Sequence, residues 1–370
     1  MDRGEYTSLS AALRAVPDPR QRRGQRYPWW VLLTVITAAV ASGQRHGRAI
    51  SQWVHEHRTE LAAVLDAADG RTPSEATLRR TLQAVDVAEL DARLLAMRQP
   101  APPASAAVVG VALDGKTVRG VDPHGRTVHL LGLVRHDGIV DAQAAVPDKA
   151  SEITGAPTLL TRQRVRGRVV TMDALLTQRA LARHICQQGG DYLMVVKDNQ
   201  PELLVAITTL FTDPPWLVGE REREVWEACT SEKSHGRLET RTLRASTTLN
   251  DYLAWPGLGQ VLERTCRRVD LATGEVSEEV SYGVTSLPPQ LGTPALLERL
   301  WRGHWTIENR VHHVRDVSFG EDAIRAWIGN TAHALASLHN AILNLLRAAG
   351  WTRIADALRY HSARVERVLT

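Results

Sequence analysis

VVGVALDGKTVRG, residues Val108 to Gly120, is the stretch on which the fold turns. Val108, Val109, Val111 and Leu113 read as a buried strand, because branched side chains favour a pleated, half-enclosed backbone. The run then ends in Asp114, Gly115 and Lys116. A carboxylate at the exit of such a strand has two chemical uses: it can hold a divalent cation at the rim of a sheet, or the Gly-Lys pair can cradle a phosphate. Gly110 to Thr117 satisfies G-x-x-x-x-G-K-T letter for letter, the phosphate-cradling P-loop pattern. Three of the four residues that should form its loop, however, are apolar and continue the strand. The following VRGVDPHGR cannot extend a helix whose N-terminus faces a phosphate. The reading that remains is a strand ending in an acid.

Composition bounds the choice. A chain of 370 residues, 44% hydrophobic and 23% charged, is an ordinary globular protein of about two domains. A net charge of +4 and a pI near 9.1 lean toward a polyanionic partner. Only four of the basic residues are lysine (Lys116, Lys149, Lys197, Lys233), which with the abundant alanine looks like GC-rich coding, so location outweighs number. Cys186, Cys229 and Cys266 are odd in number and far apart, which argues against a disulfide framework and for a reducing cytoplasm. The opening MDRGEYTSLS has no signal-peptide core, and Trp29 to Ala41 is too short to span a bilayer, so no membrane partner is expected.

Residues 1–98 read as an all-α unit, with helices over Ser8–Val16, Trp29–Ser42, Arg48–Ala67, Ser74–Val85 and Val87–Met97. The basic turn around Arg20 to Arg26 and the pair Arg79-Arg80 suit a DNA-binding module, or equally a solvated face. Arg98 to Ala106 is a Pro/Ala linker. Strands follow at Thr127–His136 and Gly138–Val146, joined at Asp137-Gly138, a hairpin signal. A short helix at Ala156–Gln163, the strand Arg168–Ala174 running into Asp173, a helix at Gln178–Gln188 and a strand ending at Lys197 complete a meander plus a βαβ unit. Residues 214–292 turn to strands again and read as a β-rich insertion. Within it, His235 and Arg237 of HGRLETR could grip a phosphate backbone, or form a charged hairpin edge.

GTPALLERLWRGHWTIENRVHHVRDV begins a helix, with Thr293 as N-cap and Pro294 at the first position. At 100° per residue, Trp301, His304, Glu308, His312 and Arg315 share one sector beside an apolar stripe. Glu308 added to two strand-end aspartates makes an oxygen donor set suited to two Mg²⁺ or Mn²⁺ ions. Asp316 and the pair Glu321-Asp322 are rivals for the third position. Zinc fits less well, since of the three nearby histidines only His304 and His312 share a face and no thiolate is close. Asn330–Ala349 is an amphipathic helix with Leu335, Leu338, Ile342, Leu345 and Leu346 on one side. Residues 351–370 read as a basic tail.

These segments together resemble the DDE transposases of bacterial insertion sequences, in the H-repeat-associated branch. The resemblance runs almost end to end: PDPRQRRGQRYPWWVLL, VALDGKTVRG, VVTMDALLTQ, GGDYLMVVKDNQP, HGRLETR and HWTIENRVHHVRDVSFGED. It implies a ribonuclease H-like α/β catalytic domain over residues 107–350, preceded by an all-α N-terminal domain. It also implies catalytic, metal-binding acids at Asp114, Asp173 and Glu308, double-stranded DNA as partner and a homodimer on paired ends. The wider group carries Tyr-x2-Arg-x3-Glu-x6-Lys around the last glutamate; here those positions are Trp301, His304, Glu308 and Arg315. Histidine in place of arginine gives up a permanent charge and a bidentate phosphate grip.

The expected activity is hydrolysis of a phosphodiester at each terminal inverted repeat, followed by attack of the freed 3′ hydroxyl on target DNA. Lys116, Arg119, Lys197, Arg237, His235, His304 and Arg315 are the expected DNA contacts. The alternatives are a catalytically silent DNA-binding protein of transposase descent and, further off, a P-loop ATPase.

Overall fold

The computed structural model of the chain describes residues 8–21, 25–65, 71–97, 108–212, 224–234, 236–324 and 328–365. The branched run at Val108 does form a strand, but it does not stop at the acid: β1 spans Val109–Val118. Thr117 and Val118 continue the β-favouring run, and Lys116 stays in the strand because its ammonium is buried against Asp316 rather than turned to solvent. An unbroken strand leaves no loop for a phosphate between Gly110 and Thr117, which removes the P-loop reading. Two compact units follow from the packing: Met1–Pro103, Gly115–Ser151 and Ile307–Thr370 form one, Ala104–Asp114 and Glu152–Thr306 the other. The Pro/Ala linker lies outside the described residues.

In the first unit the N-terminal stretch forms α1 (Leu9–Arg14), α2 (Trp29–Ala41), α3 (Gly47–Glu56), α4 (Ala62–Leu65), α5 (Glu75–Ala84) and α6 (Val87–Leu95). Ser8, Ser74 and Asp86 accept backbone N–H bonds as N-caps of α1, α5 and α6. The single helix expected over Arg48–Ala67 is broken after Glu56. Helix α2 is buried nearly all round, from Trp29 to Val40, as its sequence requires. The second half of β1 lies in this unit with β2 (Val128–Arg135) and β3 (Val140–Val146), in the order β3-β2-β1.

The second unit holds α7 (Glu152–Leu159), α8 (Arg162–Val165), β4 (Arg168–Met172), α9 (Arg179–Gln187), β5 (Asp191–Val196) and α10 (Pro201–Thr212). Helix α10 was not legible beside the Pro-rich stretch after it. Then come β6 (Val225–Ser234), β7 (Arg237–Ser246), β8 (Gln260–Asp270), β9 (Val276–Thr285) and α11 (Pro294–His304). The first half of β1 heads a sheet in the order β1-β4-β5-β9-β8-β7-β6. Strands β4 and β5 run parallel to β1, and β9 pairs antiparallel with β5, so the β-rich segment extends the sheet. Helix α11 packs Leu297, Leu300 and Trp301 on Leu193, Leu243, Ala245 and Leu262. Gly283 makes room for this: a Cβ there would lie 2.7 Å from Trp301 Cζ3.

The chain returns to the first unit through a π-helix (Ile307–His312), α12 (His313–Val317), a 3₁₀ turn (Glu321–Ala323), α13 (Thr331–Ala348) and α14 (Ile354–Ser362). The continuous helix expected from Thr293 to Val317 is therefore interrupted, and a uniform 100° count does not hold across it. Trp305 N–H closes on Arg302 O, tightening the end of α11 before the wider π turn begins. Helix α13 is buried on more than its leucine side. Asn344 exchanges two 2.9 Å bonds with the Val140 backbone, and His333 meets Asp91 of α6 at 2.8 Å. Leu345, expected inside, is exposed. The N-terminal helices thus share a core with α13, and α14 is an ordered helix where a tail was expected.

Candidate active site

Two parallel strands place the aspartates. The register of β1 on β4 runs from Val109↔Arg168 to Leu113↔Met172, so Asp114 comes next on β1 and Asp173 directly follows the end of β4. Neighbouring strands lie ~4.8 Å apart, so the two aspartates leave adjacent strands at the same level of the sheet. Asp173 Oδ1 accepts a 3.1 Å bond from Leu176 N–H, and Thr177 Oγ1 donates to Asp173 O at 2.9 Å. These bonds fix the turn that follows β4. Thr171 Oγ1, two residues before Asp173, meets His304 Nδ1 at 3.2 Å, which ties the end of α11 to β4.

In the other unit, Glu308 stands on the first turn of the π-helix with its side chain 51% exposed. Its Oε2 is 3.0 Å from Nδ1 of the buried His312. That hydrogen bond, opposed by partial burial and helped by the nearby Lys116 charge, holds the Glu308 carboxyl below its ordinary range. Burial pushes the His312 imidazole down despite Glu308, so a neutral ring donating from Nδ1 is the state the site favours. Lys116, two residues along β1 from Asp114 and only 8% exposed, binds Asp316 at 2.5 and 2.7 Å.

The rival acids are otherwise engaged. Asp316 is neutralised by Lys116. Asp322 lies 3.2 Å from Arg119, and burial and the nearby Asp316 raise its carboxyl. Glu321 is buried between Arg315 at 2.8 Å and His339 at 2.6 Å. Burial alone would push its carboxyl up, but the guanidinium and the imidazole bond outweigh it and hold it far below the usual range.

Arg315, expected to grip phosphate, is therefore buried; its guanidinium serves Glu321 and Gln143 inside the protein. Trp301, expected beside Glu308, is in the sheet core. Lys197 follows β5 directly and is exposed, as are Arg119 and Arg237, the last 4.0 Å from Asp270. His235 lies outside the described residues. Glu321 and Gln143 as partners of Arg315, and His339 as the partner of Glu321, come from three separate segments, and a single sequence carries no signal joining them.

The donors suit a hard divalent cation: the acids offer oxygens, and Glu308 is held in its ionised form. The family described as "Transposase DDE domain" matches residues 108–345, and its associated family matches residues 10–97. "Putative transposase YncI" of Escherichia coli O157:H7 is 27% identical over 92% of this chain and 87% of its own length. "H repeat-associated putative transposase YhhI" of Escherichia coli K12 is 27% identical, covering 92% and 91%. An "Uncharacterized protein in dhlA 3'region" of Xanthobacter autotrophicus is 31% identical over 73% of this chain and 92% of its own. The chain belongs to the DDE transposases of insertion-sequence mobile elements, in the H-repeat-associated type.

Proposed function

We propose that the chain cuts and joins DNA for its insertion sequence: it binds the terminal inverted repeats, hydrolyses a phosphodiester at each end and passes the freed 3′ hydroxyl to target DNA. In this reading Asp114, Asp173 and Glu308 are the ligands of two Mg²⁺ or Mn²⁺ ions. The observation that carries it is the placement of Asp114 and Asp173 directly after the last in-register pair of two parallel strands. The orders β3-β2-β1 and β1-β4-β5 support a ribonuclease H-like fold. Ions held there would supply the Lewis acidity that activates a water or sugar hydroxyl and stabilises the leaving oxygen.

The chain's own groups prepare that chemistry. His312 orients the Glu308 carboxylate, and Lys116 adds positive charge beside it while remaining tied to Asp316. His304 is held by Thr171, two residues before Asp173. Lys197, Arg119 and Arg237 are exposed cations able to meet backbone phosphates. Action as a dimer on paired ends, in the cytoplasm, belongs to the same reading. No helix among the described residues is long and apolar enough to cross a membrane.

The test is nicking of a supercoiled plasmid that carries the element's own ends. Nicking should need Mg²⁺ or Mn²⁺, proceed without ATP, and disappear in Asp114→Ala and Glu308→Ala with end binding retained. Nicking that survives both substitutions would refute the assignment.

A further inference from the structure

Arg310 and Arg347 bring two guanidinium groups over one point of backbone. A Cβ on Gly138 would lie 3.0 Å from Cζ and Nη1 of Arg347 and 3.2 Å from Nε of Arg310. Gly138, at φ 96°, turns β2 into β3, and its missing side chain leaves both cations their room. Arg347, on the last turn of α13, is half-buried and donates to the carbonyls of Gly138 and Arg310. Arg310 projects from the exposed side of the π-helix, two residues after Glu308.

Among the described residues, Asp137 is the carboxylate whose field reaches Arg347, and it is ion-paired with Arg135. Burial, with the Arg310 charge added, pushes the Arg347 guanidinium down to about 10. Two like charges this close gain from a shared anion, to which Arg310 can present a planar fork while Arg347, tied to the backbone, adds its charge.

We propose that Arg310 and Arg347 form a binding site for one backbone phosphate of duplex DNA. The inference rests on the DNA-cutting reading and adds to it a site separate from the acids, on the helix that carries Glu308. A phosphate is favoured over an acidic peptide because the chain is a transposase-family protein, whose polyanion is DNA.

A backbone contact is blind to sequence, so the probe is random-sequence duplex DNA bound to the full-length chain and followed by fluorescence anisotropy over a salt series. Each phosphate neutralised contributes about 0.9 to the slope of log affinity against log salt. Arg310→Gln should lower that slope by about 0.9 and weaken binding several-fold at low salt. Arg310→Lys, which keeps the charge and loses the fork, should keep the slope while binding more weakly. A wild-type slope in Arg310→Gln, or an equal loss of slope in both variants, would overturn the proposal. If wild-type protein fails to nick its own ends yet Arg310→Gln loses slope, the cutting reading falls and the phosphate site stands.

Discussion

Glu308 Oε2 and His312 Nδ1 lie 3.0 Å apart, one turn of π-helix joining an exposed carboxylate to a buried imidazole. The ring is held in place by burial, so it fixes one carboxylate oxygen and leaves the other to a ligand. Partners of this kind typically influence metal affinity or activity by 10–100-fold. His312→Ala should therefore slow metal-dependent nicking by about that factor. His312→Asn, which returns an N–H near the Nδ1 position, should recover part of it. Nicking rates measured beside thermal melts check this; equal rates in all three proteins would show that the bond does not matter to the chemistry.

Arg315, Glu321 and His339 form a buried charged group, and its pH dependence has a definite sign. The folded Glu321 carboxyl is held below its unfolded value, so its contribution is present above the ordinary glutamate range and lost as pH falls through and below it. Burial also depresses His339, whose protonation opposes folding at acid pH, so both effects act in the same direction. Stability should rise with pH across the acid range. Glu321→Gln should flatten that dependence and lower stability at neutral pH by about 3–5 kcal/mol, the usual cost of stripping one partner from a buried pair. Urea denaturation at several pH values measures both effects.

The seat of Trp301 on Gly283 predicts a narrow tolerance. A methyl at residue 283 would meet the indole at 2.7 Å and Met194 O at 3.0 Å. Gly283→Ala should destabilise the sheet unit by about 1–3 kcal/mol, the range for forced overpacking. A second change, Trp301→Phe, should restore part of that loss by shortening the ring. A denaturation midpoint for Gly283→Ala equal to that of wild type would show that α11 shifts at no cost.

Much of this was legible in the sequence where local chemistry and burial agree. The run Val108–Leu113, the hairpin at Asp137-Gly138 and the caps at Ser74 and Thr293 each name their own structure, and each is found in place. Legibility fails where long-range contacts decide. Lys116 keeps β1 extended past Asp114 because Asp316, two hundred residues away, takes its charge. Arg315 resembled a surface cation until Glu321 and Gln143 enclosed it. The break at Trp305 and the π turn that follows it are invisible to a count that assumes 3.6 residues per turn across Trp301 and Glu308.

The central claim is that Asp114, Asp173 and Glu308 ligate the same pair of ions, and iron-mediated scission tests it most directly. With Fe²⁺ in place of Mg²⁺, plus ascorbate and peroxide, radicals cut the polypeptide close to the bound metal. The account predicts fragments ending near residues 114, 173 and 308, all suppressed by excess Mg²⁺. Fragments near 114 and 173 alone, with the chain around 308 intact, would contradict it.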